Sequence, residues 1–150
     1  MSVQTATALR LTRVVKGDPA RVFGAWTEPD QLVEWACPEG LSVDGAEVDL
    51  RVGGRYRIVM RAPDGAVHTA VGVYREIERP GRLVYTWTWE DTQDEGMRIG
   101  ETVVTVEFRD LGDGTTEVVL THEGFPGPEA RDNHDAGWTS CLNRLEALLS

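Results

Sequence analysis

The sequence predicts an α+β fold in which a curved antiparallel sheet of about seven strands grips a long C-terminal helix, with two short helices after the first strand. Over Glu129–Leu149, apolar residues recur with the 3.6-residue period of a helix. Between Val43 and Glu123 they alternate with a period of two, and short turns containing glycine or proline interrupt them. Strands joined by short turns pair antiparallel. The 150 residues suffice for a sizeable core, and we expect one domain over 1–150.

The N-terminal part of the chain predicts one strand and two short helices. Ala8–Val15 alternates as a strand, and its expected inward side chains are Leu9, Leu11 and, at the end of the pattern, Val14. Asp18 is placed to cap a helix over Pro19–Trp26, whose first position tolerates proline. The residue before a proline is pushed out of the helical region, so a second helix is expected over Pro29–Trp35.

Six further strands follow, separated by turns. They are predicted at Val43–Leu50, Tyr56–Arg61, Val67–Glu78, Leu83–Glu90, Thr102–Asp110 and Thr115–Glu123. Gly72 interrupts the alternation within its strand and predicts a bulge there. Asp91–Gly100 has no periodicity and predicts a loop, in which the acidic residues are solvated.

The C-terminal helix has one apolar stripe, which must lie against the sheet. The stripe consists of Trp138, Leu142, Leu145 and Leu149. Gly137, inside this helix, costs about 1 kcal/mol relative to alanine. It indicates either a local packing need or the close approach of a backbone or a ligand. His134 projects near the same face, either as a half-exposed histidine or as a group that faces a ligand.

Composition excludes several classes of function. Twenty-five acidic and fifteen basic residues give a net charge of −10, which argues against nucleic acid and anionic membrane surfaces as partners. The N-terminus lacks the pattern of a signal peptide, and no apolar stretch reaches the ~20 residues needed to cross a bilayer. Cys37 and Cys141 lie far apart and are expected to be buried thiols in a reducing compartment. We therefore expect a cytoplasmic protein.

Several short motifs, in their order along the chain, resemble the START-like superfamily, also called SRPBCC or helix-grip proteins. They are Val22–Thr27 followed by Pro29, Gly53–Tyr56, Pro80–Trp87, Thr121–Phe125, and Gly137–Trp138 leading into Leu142 and Leu145. Within the superfamily the chain is similar to the branch named for homologues of the heat-shock-protein-90 ATPase activator. The resemblance covers residues from about 8 to 149.

The resemblance implies an internal cavity that opens near the two short helices. Members of the superfamily bind lipids, polyketide intermediates and other apolar small molecules, and some catalyse cyclisation or dehydration. The eukaryotic co-chaperone activity accompanies an additional domain, which we do not expect in this single-domain chain, so that activity is not carried over.

The side chains expected at a ligand site are mainly aromatic, because aromatic rings can line a pocket for a planar or apolar ligand. The predicted ligand-binding residues are Trp26, Trp35, Tyr56, Met60, Tyr85, Trp87, Trp89, His122, His134, Trp138 and Leu142. The alternative for each of the five tryptophans is that it only fills the core. Trp89, near a strand end, is expected at the rim of the pocket.

Three functions follow as hypotheses. The first is binding or sequestration of an apolar or aromatic small molecule. The second is an enzyme similar to polyketide cyclases and dehydratases, with His122, His134 or Tyr56 as acid or base, or a buried carboxylate such as Glu101. The third is a protein-interaction module, linked to a chaperone.

The sequence predicts neither a metal nor a cofactor. His68, His122 and His134 lack the spacing of metal ligands, and no nucleophile or nucleotide-binding motif occurs. A homodimer formed through an edge strand is compatible with the sequence but not required by it.

Overall fold

The structure is a computed structural model that describes residues 7–90 and 99–150. Its strands are β1 (Ala8–Lys16), β2 (Ser42–Val48), β3 (Arg55–Arg61), β4 (Val67–Glu78), β5 (Arg82–Glu90), β6 (Thr102–Asp110) and β7 (Thr115–Glu123). Its helices are α1 (Pro19–Thr27), α2 (Pro29–Trp35) and α3 (Pro128–Leu149). Most of the predicted loop Asp91–Gly100 lies outside the described residues.

The seven strands form one curled antiparallel sheet in the order β1-β7-β6-β5-β4-β3-β2. The chain crosses once from β1 to β2, by way of the two short helices, and every other connection joins neighbouring strands. The long helix α3 packs against β1 and α2. The predicted α+β fold, with its long C-terminal helix and its two short helices after the first strand, is confirmed.

Local sequence explains why two short helices form here instead of one longer helix. The Asp18 carboxylate accepts a hydrogen bond of 2.9 Å from the Arg21 backbone N–H and thereby caps α1. Pro29 begins α2 at a position where its missing N–H costs nothing. The Trp35 indole donates to the Ala25 carbonyl at 2.8 Å, and the ring centroids of Trp26 and Trp35 lie 4.6 Å apart. These contacts hold the two helices against each other.

Two details of the predicted strands are wrong. Val14 is 46% exposed and Val15 is buried, because β1 pairs with β7 in unbroken register and the alternation from Leu9 places Val15 inward. The irregularity of β4 lies between Tyr74 and Glu76, whereas Gly72 pairs regularly with Tyr56. Gly72 instead marks a close approach of two backbones, since a Cβ there would overlap the Thr86 carbonyl oxygen.

Candidate functional site

A cavity of about 180 Å³ lies between the inner face of the sheet, the two short helices and α3. Of the predicted ligand-binding residues, those that line it are Trp26, Trp35, Tyr56, Met60, Tyr85, Trp87, Trp89, His134 and Trp138. Leu142 is buried in the core, and His122 lies behind Trp138, to which it is hydrogen-bonded. Trp89 is only partly buried, which agrees with its expected place at the rim.

Other lining residues were not among the predicted ligand-binding residues, although the sequence had indicated Gly137 as a point where a backbone or a ligand could approach closely. They are Leu32, Ala36, Pro38, Leu41, Ile58, His68, Tyr74, Leu83, Asn133, Gly137 and Cys141. The alternation of β3 and β5 places Ile58 and Leu83 on the same face as predicted residues, so periodicity contains a signal for them. Pro38 and Leu41 belong to the link between α2 and β2, where no periodicity marks the inward direction.

Eight of the twenty described residues that line the cavity are tryptophan or tyrosine. Trp138 of α3 faces Trp87 of β5 with ring centroids 5.1 Å apart, and stacks on Trp26 of α1 at 6.4 Å. Tyr56 and Tyr85 meet edge to face at 5.2 Å. Ring pairs at these distances stabilise the packing beyond their buried area. The helices and the sheet therefore meet through aromatic side chains around the cavity.

The tyrosine hydroxyls of the wall are neutral. Burial raises the pKa of Tyr56 well above its usual value, and Tyr85 and Tyr74 raise it further. Burial likewise raises the pKa of Tyr85. The Tyr56 hydroxyl donates to the Thr86 carbonyl at 2.6 Å, whereas the Tyr85 hydroxyl accepts a hydrogen bond of 3.1 Å from the Trp26 indole. Tyr56 is thus a structural donor rather than a free base.

His122 is held by two neighbours. The Trp138 indole donates to its Nδ1 at 2.9 Å. The Thr102 hydroxyl donates to the Trp87 carbonyl at 2.6 Å, and therefore accepts from His122 Nε2 at 2.7 Å. Burial, followed by the neighbouring His134, lowers the pKa of His122 well below its ordinary value. The imidazole is neutral, carries its proton on Nε2 and has no free nitrogen.

Both ring nitrogens of His134 are also hydrogen-bonded, but its proton is on Nδ1 instead of Nε2. Its Nδ1–H donates to the Ala130 carbonyl at 2.8 Å, and its Nε2 accepts from the Trp89 indole at 2.9 Å. Burial lowers the pKa of His134, and the hydrogen bond to Ala130 partly opposes this shift. The His122 and His134 rings lie 5.6 Å apart, and both contact Phe125. The pair anchors two tryptophans of the cavity, and neither histidine presents a free nitrogen to a substrate.

The two neutral histidines predict a loss of stability on acidification. The unfolded chain protonates its histidines near pH 6.5, whereas the folded pKa values of His122 and His134 are lower. The unfolded state therefore binds more protons below pH 6.5, and the free energy of unfolding falls as the pH falls through the folded pKa values. Each buried neutral histidine contributes up to about 1.4 kcal/mol per pH unit to the slope of the unfolding free energy against pH.

This slope is measurable by urea unfolding between pH 7.5 and 5, above the range in which ordinary carboxylates titrate. We expect the His122→Asn variant to have a clearly shallower slope than the wild type. A free energy of unfolding that stays flat across this range would contradict the neutral state of both histidines.

Of the remaining groups singled out in the sequence, Glu101 and Cys37 do not line the cavity, whereas Cys141 does. Glu101 is exposed and forms a 2.9 Å ion pair with Arg75. Cys37 and Cys141 are buried free thiols, and the Arg144 guanidinium donates to Cys37 Sγ at 2.7 Å. Within residues 7–90 and 99–150, no group of three or more His, Cys, Asp or Glu side chains is arranged to hold a metal ion. In the same ranges no helix is long and apolar enough to cross a membrane.

The Trp87 indole of the cavity wall has an unmet hydrogen-bonding capacity. Trp87 Nε1 is buried and has no hydrogen-bond partner among the described residues. The other four indoles each donate, Trp26 to Tyr85, Trp35 to Ala25, Trp89 to His134 and Trp138 to His122. A buried donor that lacks an acceptor is costly and uncommon in native proteins.

Comparison with known proteins agrees with this architecture. The model of the family "Activator of Hsp90 ATPase homolog 1-like protein" matches residues 16–150. A crystal structure of a Chromobacterium violaceum protein is 30% identical, with a TM-score of 0.84 and coverage of 95% of this chain and 96% of that one. The AHSA1 protein of Silicibacter pomeroyi is 29% identical, with a TM-score of 0.81 and the same two coverages.

A structure described as an HSP90 activator, from Plasmodium falciparum, is 25% identical to this chain. It has a TM-score of 0.71, with coverage of 95% of this chain and 96% of that chain. None of the curated proteins matches the chain. The match of the family model over most of the sequence identifies the chain as a member of the family of Activator of Hsp90 ATPase homolog 1-like proteins.

Proposed function

We propose that the protein binds or sequesters a small apolar or aromatic molecule in the cavity between the sheet and α3. The observation that supports this most is an open volume of about 180 Å³ with almost wholly apolar walls. Protein interiors are close-packed, and unfilled apolar volume costs stability. An apolar cavity of roughly 150 Å³ binds benzene, so the volume suits a ligand of one or two rings.

Gly137 adds independent support. A Cβ built on this residue would come no closer than 3.9 Å to Pro38 Cγ, an ordinary contact, so packing does not require glycine here. Glycine within a helix nevertheless costs about 1 kcal/mol relative to alanine. Both Gly137 and Pro38 line the cavity and are partly exposed. The missing side chain keeps this part of the cavity open between α3 and the link that follows α2.

The test is to block the cavity from this position. We expect apolar ring compounds such as indane to raise the melting temperature of the wild type. At a ligand concentration a hundredfold above Kd, the free energy of unfolding should rise by about 2.7 kcal/mol. Gly137→Leu places three further carbons beyond Cβ near Pro38 and should abolish the shift.

The matched control is Ala136→Leu, which adds a leucine at the neighbouring, exposed position of α3 and should retain the full shift. The proposal fails if apolar ring compounds leave the wild-type melting temperature unchanged, or if Gly137→Leu responds to them as the wild type does. Native mass spectrometry of protein purified from its own host would, in addition, give the mass of a retained ligand.

A protein-interaction role is a second candidate, favoured by the similarity to the structure described as an HSP90 activator. Titration of purified Hsp90 into the wild type and into Gly137→Leu separates the two roles. A surface interaction would survive the blocked cavity, whereas ligand binding would not. The cyclase or dehydratase alternative has less support, because the His122 and His134 nitrogens are engaged within the protein.

A further inference from the structure

We propose that the Trp87 indole N–H, together with the Tyr85 hydroxyl, selects a neutral ligand that carries a hydrogen-bond acceptor, such as a carbonyl oxygen, on its one- or two-ring frame. This inference rests on the proposed function and adds the chemical class of the ligand.

The first support is the contrast among the indoles of the cavity. Trp26, Trp35, Trp89 and Trp138 each donate to a group of the protein, but Trp87 Nε1 is buried without an acceptor among the described residues. Since Trp87 lines the cavity, a bound molecule is a ready source of that acceptor. A ligand that lacks an acceptor would leave this buried donor unpaired.

Tyr85 supplies a second donor from the same strand. Its hydroxyl oxygen accepts from the Trp26 indole, so its own proton is directed elsewhere, and no acceptor for it is found within the described residues. Tyr85 and Trp87 are two positions apart on β5 and both side chains are buried in the cavity wall. Alternate residues of a strand share a face and are separated by roughly 7 Å. Two donors thus lie on one wall.

The rest of the lining favours a neutral ligand. Within residues 7–90 and 99–150, no Asp, Glu, Lys or Arg side chain lines the cavity. The buried tyrosines remain protonated because their pKa values are raised, and the pKa of His134 is lowered, which keeps its ring uncharged. A charged ligand would lose its hydration without gaining a counter-charge, which is strongly unfavourable. A carbonyl, ether or phenolic oxygen meets the two donors at much lower cost.

A pair of probes of matched shape tests the inference. 1-Indanone and indane share one frame and differ in a carbonyl against a methylene group. Their dissociation constants are measured by titration calorimetry for the wild type and for Trp87→Phe, which keeps an aromatic ring but removes the N–H. We expect Trp87→Phe to weaken indanone relative to indane by about 3- to 10-fold, the effect of one hydrogen bond.

The matched control is Trp138→Phe, the same change in a ring 5.1 Å away whose N–H is already donated to His122. It alters the cavity for both probes, so their affinity ratio should stay at the wild-type value. If both probes bind and Trp87→Phe leaves the ratio unchanged, the acceptor selection is wrong while the proposed function stands. If the wild type binds neither probe, both are wrong.

A spectroscopic measurement on the wild type covers the case in which a variant does not fold. With ¹⁵N-labelled tryptophan, five indole N–H resonances are expected, one for each tryptophan of the chain. The Trp87 resonance, assigned through its proximity to both the Trp89 and the Trp138 rings, should move downfield with indanone and much less with indane. Equal movement with both probes would overturn the inference.

Discussion

Replacing Gly72 by alanine is expected to lower the free energy of unfolding by at least about 3 kcal/mol. The added Cβ would overlap the Thr86 carbonyl oxygen and lie 2.7 Å from both the Thr86 carbonyl carbon and Tyr56 Cε2. Two of these atoms belong to the backbone of β5 and cannot rotate away. Relief requires β4 and β5 to separate, which strains the hydrogen bonds from Tyr56 to the Thr86 carbonyl and from Val73 N–H to the Thr86 hydroxyl.

The matched control is Gly45→Ala in the edge strand β2. A Cβ at Gly45 would meet no atom within 4 Å, and the backbone there has no left-handed φ. This variant should stay within about 0.5 kcal/mol of the wild type, or gain slightly because the unfolded chain loses freedom. Urea unfolding of the two variants side by side measures the difference. Equal stability of Gly72→Ala and Gly45→Ala would contradict the close approach of β4 and β5.

The order of the elements was predictable because hydrophobic periodicity reports which side of an element is buried. The stripe of Trp138, Leu142, Leu145 and Leu149 on α3 is buried as expected, since a helix of this length must place its apolar side against the sheet. Proline marked the start of both short helices and Asp18 marked the cap of the first, and such signals are visible in the sequence because they act within a few residues.

The errors share a different cause, which is contact between distant parts of the chain. Val14 is exposed because its orientation depends on the register with β7, a hundred residues away in sequence. Gly72 was predicted to form a bulge because the sequence of its own strand does not show that the Thr86 backbone, in another strand, approaches it closely. A pattern within one strand cannot specify which partner it meets.

The candidate site shows the same division. Aromatic residues on inward faces were predictable as cavity lining. Their spacing predicts that they face inward, and the residue type gives the aromatic ring. The state of His122 and His134 was not, because it depends on Trp138 and Trp89, whose indoles reach them across the fold. The two histidines were candidates for an acid or base in the sequence. In the structure they are neutral and accept hydrogen bonds from two tryptophan indoles.

Truncation of His122 to alanine is the second large effect that we expect, a loss of about 3–5 kcal/mol in the free energy of unfolding. The change removes a fully buried ring packed against Phe125. It also leaves the Trp138 indole N–H without its acceptor and the Thr102 hydroxyl without its donor. Unpaired buried polar groups cost about 1–3 kcal/mol each, and the lost packing adds to this.

His122→Asn separates support of the cavity from catalysis. The asparagine side-chain oxygen can take the place of Nδ1 as acceptor for Trp138, so we expect this variant to recover about 1 kcal/mol or more relative to alanine. Urea unfolding at pH 7.5, where the wild-type imidazole is neutral, measures the recovery. Because Trp138 forms part of the cavity wall, His122→Asn should also bind 1-indanone more tightly than His122→Ala. If asparagine restores neither stability nor binding, the Trp138–His122 hydrogen bond is not what holds this wall in place.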